Sequence, residues 1–230
     1  DLGVEVPLEK VPIMQKKIVK KCIAAAKPVI IATQMMESMM ENPAPTRAEV
    51  TDVANAIFDG ADALMLSGET AVGKYPVLVV KTFNQIIKEV EKESSSIYHR
   101  NIPPTQESST FLSDILCYTA CRMAQAVEAK AIIGMTKSGY TGFMLSSFRP
   151  KANIFVFTES AELLDALSLV WGVRAYAYHK FISADNTIQD VQYILKQKGL
   201  IKSGDIVINT GSMPLNQRGM TNTIKLTKLK

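Results

Sequence analysis

Apolar and polar positions alternate along the chain in the pattern of parallel strands joined by helices. In residues 6–27, apolar side chains recur every three or four positions with lysines between them, which predicts an amphipathic helix. The run KPVIIAT at 27–33 is short, continuous and rich in β-branched residues, as in a strand buried on both faces. ADALMLSG at 61–68 predicts a second such strand, and residues 75–93 return to the helical spacing. Parallel strands with helical crossovers explain this order most simply.

Local signals place the ends of the helix between the two strands. Thr46 and Glu49 have the spacing of a capping box, in which each side chain accepts a hydrogen bond from the backbone N–H of the other residue at the first turn of a helix. Apolar residues then repeat at helical spacing until Asp59 and Gly60, where glycine is expected to end the helix.

A polar stretch separates the first part of the chain from the second. Residues 92–107 contain a serine cluster and the pair Pro103-Pro104, and we interpret them as a linker between a first region, 1–91, and a second, 108–230. The second region resumes the alternation, with helices predicted at 108–127, 139–148, 161–170 and 187–199 and strands at 131–136, 154–158, 173–178, 205–211 and 221–229. It has enough elements for a core of its own.

Composition excludes several classes of function. The chain is 47% hydrophobic and 21% charged, with a net charge of +4 whose positive excess lies in the second region. That excess is small and scattered, which argues against a nucleic-acid partner but suits a small anion. No apolar run is long enough for a membrane span, and no leader pattern is evident, so we expect a cytoplasmic protein. Three cysteines without a metal or redox spacing favour simple packing of Cys117 and Cys121 on a helix.

Hydroxyl residues stand at the predicted carboxyl ends of strands, where ligands bind in parallel α/β folds. Thr33 follows VIIA, the tetrad SGET at 67–70 follows ADALML, and TKSG at 136–139 follows AIIGM. Each of these residues also fits an ordinary turn or helix cap. The four methionines between 35 and 40 are about helically spaced and predict a core or a subunit contact.

Taken together, these stretches closely resemble pyruvate kinase. The residues that carry the resemblance are DLGVEVP at 1–7, the long ordered run from ATQMMESMM through PTRAEVTDVANAIFDG to MLSGETAVGKYP, and TNT at 221–223. The resemblance implies the last part of a (β/α)₈ barrel, from just after its sixth strand, followed by a separate α/β regulatory domain with a mainly parallel sheet. It also implies phosphoryl transfer from phosphoenolpyruvate to ADP in glycolysis.

The family pattern assigns roles to several residues. Asp1 matches the metal-binding aspartate for Mg²⁺ or Mn²⁺, and Thr33 matches a threonine that contacts the substrate near the reacting carbon. Arg47 and Glu49 match a subunit contact, which implies a homo-oligomer, a tetramer in the family. The family's catalytic lysine, its second metal-binding glutamate and its K⁺ and nucleotide contacts match nothing in the sequence. We therefore expect the 230-residue chain alone to be inactive.

The second region resembles the effector domain of the family. Thr136, Lys137, Ser138 and Thr141 match a motif that cradles an effector phosphate, and the same residue types would suit an anion on physical grounds alone. Arg218 lies in the segment GSMPLNQRGMTN, which replaces the glycine-rich loop of enzymes regulated by sugar bisphosphates. A monophosphate, or no effector, is therefore supported at least as well as a sugar bisphosphate.

Two other interpretations stay open. A non-catalytic module for effector binding or oligomerisation would keep the surface of a kinase without its chemistry. Another barrel enzyme acting on phosphorylated substrates would require the ATQM and SGET matches to be accidental.

Overall fold

The structure is a computed structural model that describes residues 2–93, 103–180, 183–213 and 221–230. The chain divides into two compact units, residues 1–97 and 98–230. The division falls within the stretch predicted as a linker, of which residues 94–102 lie outside the described ranges.

The first unit contains two short parallel strands with helices before, between and after them. The strands β1 (Ile30–Ala32) and β2 (Ala63–Met65) pair in parallel, with Ile30 opposite Ala63 and Ala32 opposite Met65. The helical elements alternate with them as the sequence predicts. In chain order the unit consists of α1 (Leu2–Glu5), a 3₁₀ turn (Leu8–Lys10), α2 (Val11–Ala24), β1 (Ile30–Ala32), a 3₁₀ turn (Glu37–Met40), α3 (Arg47–Asp59), β2 (Ala63–Met65), α4 (Gly68–Ala71) and α5 (Pro76–Glu91).

Helix ends in this unit follow the local chemistry. The helix predicted over 6–27 begins as α2 only at Val11, with Pro12 in its first turn, where proline is well tolerated. Thr46 and Glu49 form both bonds of the predicted capping box at the start of α3. Gly60 takes the left-handed conformation, with φ of 95°, at the end of α3. These predictions are confirmed, apart from the shorter α2.

The second unit is a five-stranded sheet flanked by helices. Its described strands are β3 (Ala131–Met135), β4 (Asn153–Thr158), β5 (Val173–Ala177), β6 (Ile206–Gly211) and β7 (Thr223–Lys228). They lie in the order β5-β4-β3-β6-β7, and of these five described strands only β7 runs antiparallel, against β6. A mainly parallel sheet is what the sequence predicts. Its elements are α6 (Phe111–Ala126), β3 (Ala131–Met135), α7 (Tyr140–Ser147), β4 (Asn153–Thr158), α8 (Ala161–Leu167), β5 (Val173–Ala177), α9 (Ala184–Gln197), β6 (Ile206–Gly211) and β7 (Thr223–Lys228).

The core of the second unit lies on both faces of β3 and β4, whose side chains are almost all buried. Ile133, Phe155 and Phe157 pack on one face against Val191 and Leu195 of α9. The chain runs from β3 towards β4 and β5, and later places β6 on the opposite side of β3. The carboxyl ends of β3 and β6 therefore form a topological switch point, where parallel α/β sheets bind ligands.

Candidate functional site

The loop that follows β1 has an unusual backbone. Thr33 and Gln34 have positive φ angles of 73° and 54°. A β-branched residue such as threonine rarely takes this conformation, because its side chain crowds the backbone. Both residues line a cleft of about 770 Å³ within the first unit, and the side chain of Thr33 is exposed there. The structure thus puts Thr33 at the carboxyl end of a parallel strand, facing open space.

A buried carboxylate ties this loop to the loop after β2. Glu69 is 3% exposed. Its Oε1 atom accepts a hydrogen bond from the Met36 amide at 3.1 Å, and its Oε2 atom accepts one from the Ser67 amide at 2.7 Å. The ends of the two neighbouring strands are joined by one side chain. The sequence marked Glu69 only as part of SGET and gave no signal for this bridge.

The methionines after β1 pack inside the first unit. Met36 and Met39 are fully buried, and Met35 is 7% exposed. A Cβ atom on Gly68 would lie only 3.1 Å from the sulfur of Met40, so glycine allows α4 to approach this segment closely. The prediction of a packing role is confirmed for these residues, whereas their part in a subunit contact stays a prediction.

The start of α3 contains the two residues expected at a subunit contact. Arg47 is exposed in the first turn, and Glu49 accepts hydrogen bonds from the amide and hydroxyl groups of Ser38 and Thr46, at 2.5–2.9 Å. Partial burial would raise the pKa of the Glu49 carboxyl, but the bonds from Ser38 and Thr46 outweigh it and lower the pKa. Glu49 thereby fastens the loop after β1 to α3 within the unit.

At the switch point of the second unit, the four predicted residues divide into two kinds. Thr136 accepts a bond from the Gly139 amide at 2.9 Å through its Oγ1 atom, and the Thr141 hydroxyl lies 2.7 Å from that of Thr221. Both threonines are buried. Lys137 and Ser138 are exposed, so the groups presented at the surface are an ammonium and a hydroxyl.

A second buried carboxylate lies beside this turn. Asp114 of α6 accepts a hydrogen bond from the Tyr140 hydroxyl on one oxygen and bonds from Thr110 and Ser108, at 3.0 and 3.2 Å, on the other. Burial, with a further contribution from Asp114, raises the pKa of Tyr140 to about 12. This cluster fixes Tyr140, the first residue of α7, two positions after Ser138. Sequence reasoning missed the bond between Tyr140 and Asp114 because these two residues are 26 positions apart.

The cysteines on α6 are packing residues, as predicted. Burial raises the pKa of the Cys117 thiol to about 12, with the Asp114 charge adding to the shift, and burial also raises the pKa of the Cys121 thiol well above its ordinary value. Raised values keep both thiols protonated and unreactive.

Two predicted site residues, Asp1 and Arg218, lie outside the described residues. Within the described ranges, no group of three or more His, Cys, Asp or Glu side chains is arranged to hold a metal ion. In the same part of the chain, no helix is both long and apolar enough to cross a membrane.

Two family models match most of the chain. Residues 1–80 match the pyruvate kinase barrel domain, and residues 114–227 match the pyruvate kinase alpha/beta domain. The chain belongs to the pyruvate kinase family. The predicted family and fold are thereby confirmed: the end of a pyruvate kinase barrel followed by its α/β domain.

Named relatives agree with this assignment. The chain is 44% identical to a pyruvate kinase of Geobacillus stearothermophilus over 228 residues and 42% identical to one of Clostridium acetobutylicum over 227 residues, matches that cover 98% of the chain. They cover only 38% and 48% of those relatives, so the chain spans less than half the length of either. A crystal structure of a pyruvate kinase from Cryptosporidium parvum superposes with a TM-score of 0.85 at 32% identity, over 99% of this chain and 45% of that one.

Proposed function

We propose that this chain forms the C-terminal part of a pyruvate kinase, which transfers a phosphoryl group from phosphoenolpyruvate to ADP and yields pyruvate and ATP. Residues 1–91 would complete the catalytic barrel and residues 108–230 would form the regulatory domain. Residues 92–107 would link the two. The observation that carries the catalytic part is Thr33, a strained residue that faces a cleft at the carboxyl end of a parallel strand. Ligands in barrel enzymes bind at this end of the strands.

Thr33 would act on the substrate through its hydroxyl. Phosphoryl transfer depends on positioning and on concentrated positive charge, with little covalent work by the protein. A neutral hydroxyl can donate a hydrogen bond to the enolate end of the substrate without adding net charge. It can also accept a hydrogen bond from a water molecule that protonates the enolate. The exposed side chain at the cleft presents the hydroxyl for either role.

The metal would be held at the beginning of the chain. A divalent Mg²⁺ or Mn²⁺ ion and a K⁺ ion would supply positive charge for the transferred group when bound. Mg²⁺ requires oxygen ligands and usually takes one or two carboxylates, a chemistry that Asp1 fits. Since the family's second metal-binding glutamate matches nothing in the sequence, Asp1 would need a partner from the preceding part of the barrel.

The remaining expectations concern assembly and regulation. Arg47, exposed at the start of α3, would contact a second subunit of a homo-oligomer, a tetramer as in the family, with Glu49 fastening that helix end. Lys137 and Ser138 would bind the phosphate of an effector, with Thr136 and Thr141 shaping the turn and Arg218 adding charge. We propose the cytoplasm as the location.

Enzyme assays test the catalytic proposal. The 230-residue chain would show no turnover of phosphoenolpyruvate and ADP with Mg²⁺ and K⁺, because the family's catalytic lysine has no match in it. A hybrid that joins the preceding part of the Geobacillus stearothermophilus barrel to this chain would form pyruvate. A folded hybrid that binds phosphoenolpyruvate but forms no pyruvate would contradict the proposal.

A regulatory or oligomerisation module without catalysis is the alternative. The complete sheet of the second unit, with its own core and switch point, favours it. It predicts that residues 98–230 bind a phosphorylated ligand with the same affinity whether or not residues 1–97 are present, and that the hybrid stays inactive.

A further inference from the structure

The backbone at Thr33 and Gln34 is held in a conformation that it would not keep unaided. Both residues have positive φ, and neither is glycine. Consecutive non-glycine residues keep a positive φ only where the surrounding contacts hold the backbone in place. Backbone strain of this kind is common at ligand-binding sites. Some contact close to Thr33 must therefore hold the loop after β1.

Glu69 provides a hydrogen bond close to that pair on the carboxyl side. Its bond to the Met36 amide acts two residues beyond Gln34, while its bond to Ser67 anchors it to the end of β2. The bond from the Lys74 amide to the Met40 carbonyl, and the packing of Gly68 on Met40, act further along the segment. Glu69 thus connects the end of β2 to the loop that contains the strained residues Thr33 and Gln34.

The chemistry of this carboxylate fits a positioning role better than simple packing. A buried carboxylate is costly unless hydrogen bonds compensate it. Glu69 receives two, both from backbone amides, and charge-assisted bonds of this kind are about twice as strong as bonds between neutral groups. A neutral glutamine has one oxygen and one NH₂ group, so it can accept from only one of the two amides.

We propose that Glu69 is a positioning residue, which locks the loops after β1 and β2 together and thereby aims the Thr33 hydroxyl into the cleft. Its importance for catalysis rests on the proposed function, in which Thr33 contacts the substrate. The lock itself is a property of the 230-residue chain and can be measured without substrate or turnover.

Nuclear magnetic resonance of the isotope-labelled chain tests the lock. A positive φ brings the amide proton close to its own Hα, so Thr33 and Gln34 should give strong intraresidue NOEs. In Glu69→Gln we expect these NOEs to weaken and exchange of at least one of the Met36 and Ser67 amides to rise about tenfold or more, the factor for one lost bond to a charged group. Glu37→Gln, an exposed glutamate in the same segment, is the matched control and should change neither.

A conservative variant separates positioning from general stability. Glu69→Asp keeps the charge and both acceptor oxygens on a shorter side chain, so we expect NOEs and exchange between those of the unsubstituted chain and Glu69→Gln. If Glu69→Gln fails to fold, Glu69→Asp alone decides: Thr33 NOEs and Met36 exchange identical to the unsubstituted chain would overturn the proposal. A folded Glu69→Gln with unchanged NOEs, or equal changes in Glu37→Gln, would overturn it as well.

Discussion

Removing the hydroxyl of Tyr140 should destabilise the second unit by a measurable amount. Tyr140→Phe deletes the donor to Asp114, a carboxylate only 6% exposed, and leaves it with bonds from Ser108 and Thr110. A hydrogen bond to a charged group contributes about 1.5–3 kcal/mol, so we expect a loss of about 2 kcal/mol in the free energy of unfolding.

Urea denaturation followed by fluorescence provides the measurement. Trp171 is the chain's single tryptophan and lies in the second unit, so its signal reports on that unit separately from the first. Tyr193→Phe, at a tyrosine 60% exposed on α9, is the matched control and should cost less than about 0.5 kcal/mol. Equal losses in the two variants, or a loss in Tyr140→Phe accompanied by a changed m-value, would refute the reasoning.

The pH dependence of the same variant gives an independent check. The pKa of Tyr140 is raised to about 12, above the value near 10 that it has in an unfolded chain. The folded state therefore keeps a proton that the unfolded state loses, and this contribution to stability is complete below pH 10 and is lost between about pH 10 and 12. Tyr140→Phe should show a shallower decline over that range, although Cys117 contributes in both proteins.

Three further changes have defined outcomes. Glu49→Gln weakens the bonds from Ser38 and Thr46 and should cost about 1 kcal/mol at pH 7 in thermal denaturation; because its pKa is lowered on folding, the difference from the unsubstituted chain should shrink as the pH falls below 4.5. Gly139→Ala should cost about 2 kcal/mol in urea, since φ is 81° and the new Cβ would lie 2.9 Å from two side chains. A phosphorylated effector at ~100 times its dissociation constant should stabilise the chain by about 2.7 kcal/mol in a thermal-shift screen, and Ser138→Ala should reduce that shift.

Sequence patterns predicted those features that short-range chemistry determines. The capping box of Thr46 and Glu49, the left-handed Gly60 and the order of strands and helices each depend on residues within a few positions of one another. Hydrophobic periodicity also located β3 and β4, because strands buried on both faces show as continuous apolar runs.

The remaining features depend on contacts between distant residues. The helix predicted from 108 begins only at Phe111, because the Ser108 and Thr110 side chains bond Asp114 and each other and do not cap the helix. Glu69 and Met36 are 33 residues apart, and no local pattern announces their bond. Residue propensities likewise do not predict the positive φ of Thr33, since threonine seldom takes that conformation.

The rate of pyruvate formation by the hybrid enzyme with Thr33→Val tests the central claim most directly. Valine keeps the shape and the β-branch of threonine and removes only the hydroxyl, so we expect kcat to fall about a hundredfold, as for loss of a group that assists proton transfer. Thr51→Val, at an exposed threonine on α3, is the control and should retain full activity. Unchanged kcat in a folded Thr33→Val hybrid would contradict the placement of Thr33 at the reacting centre.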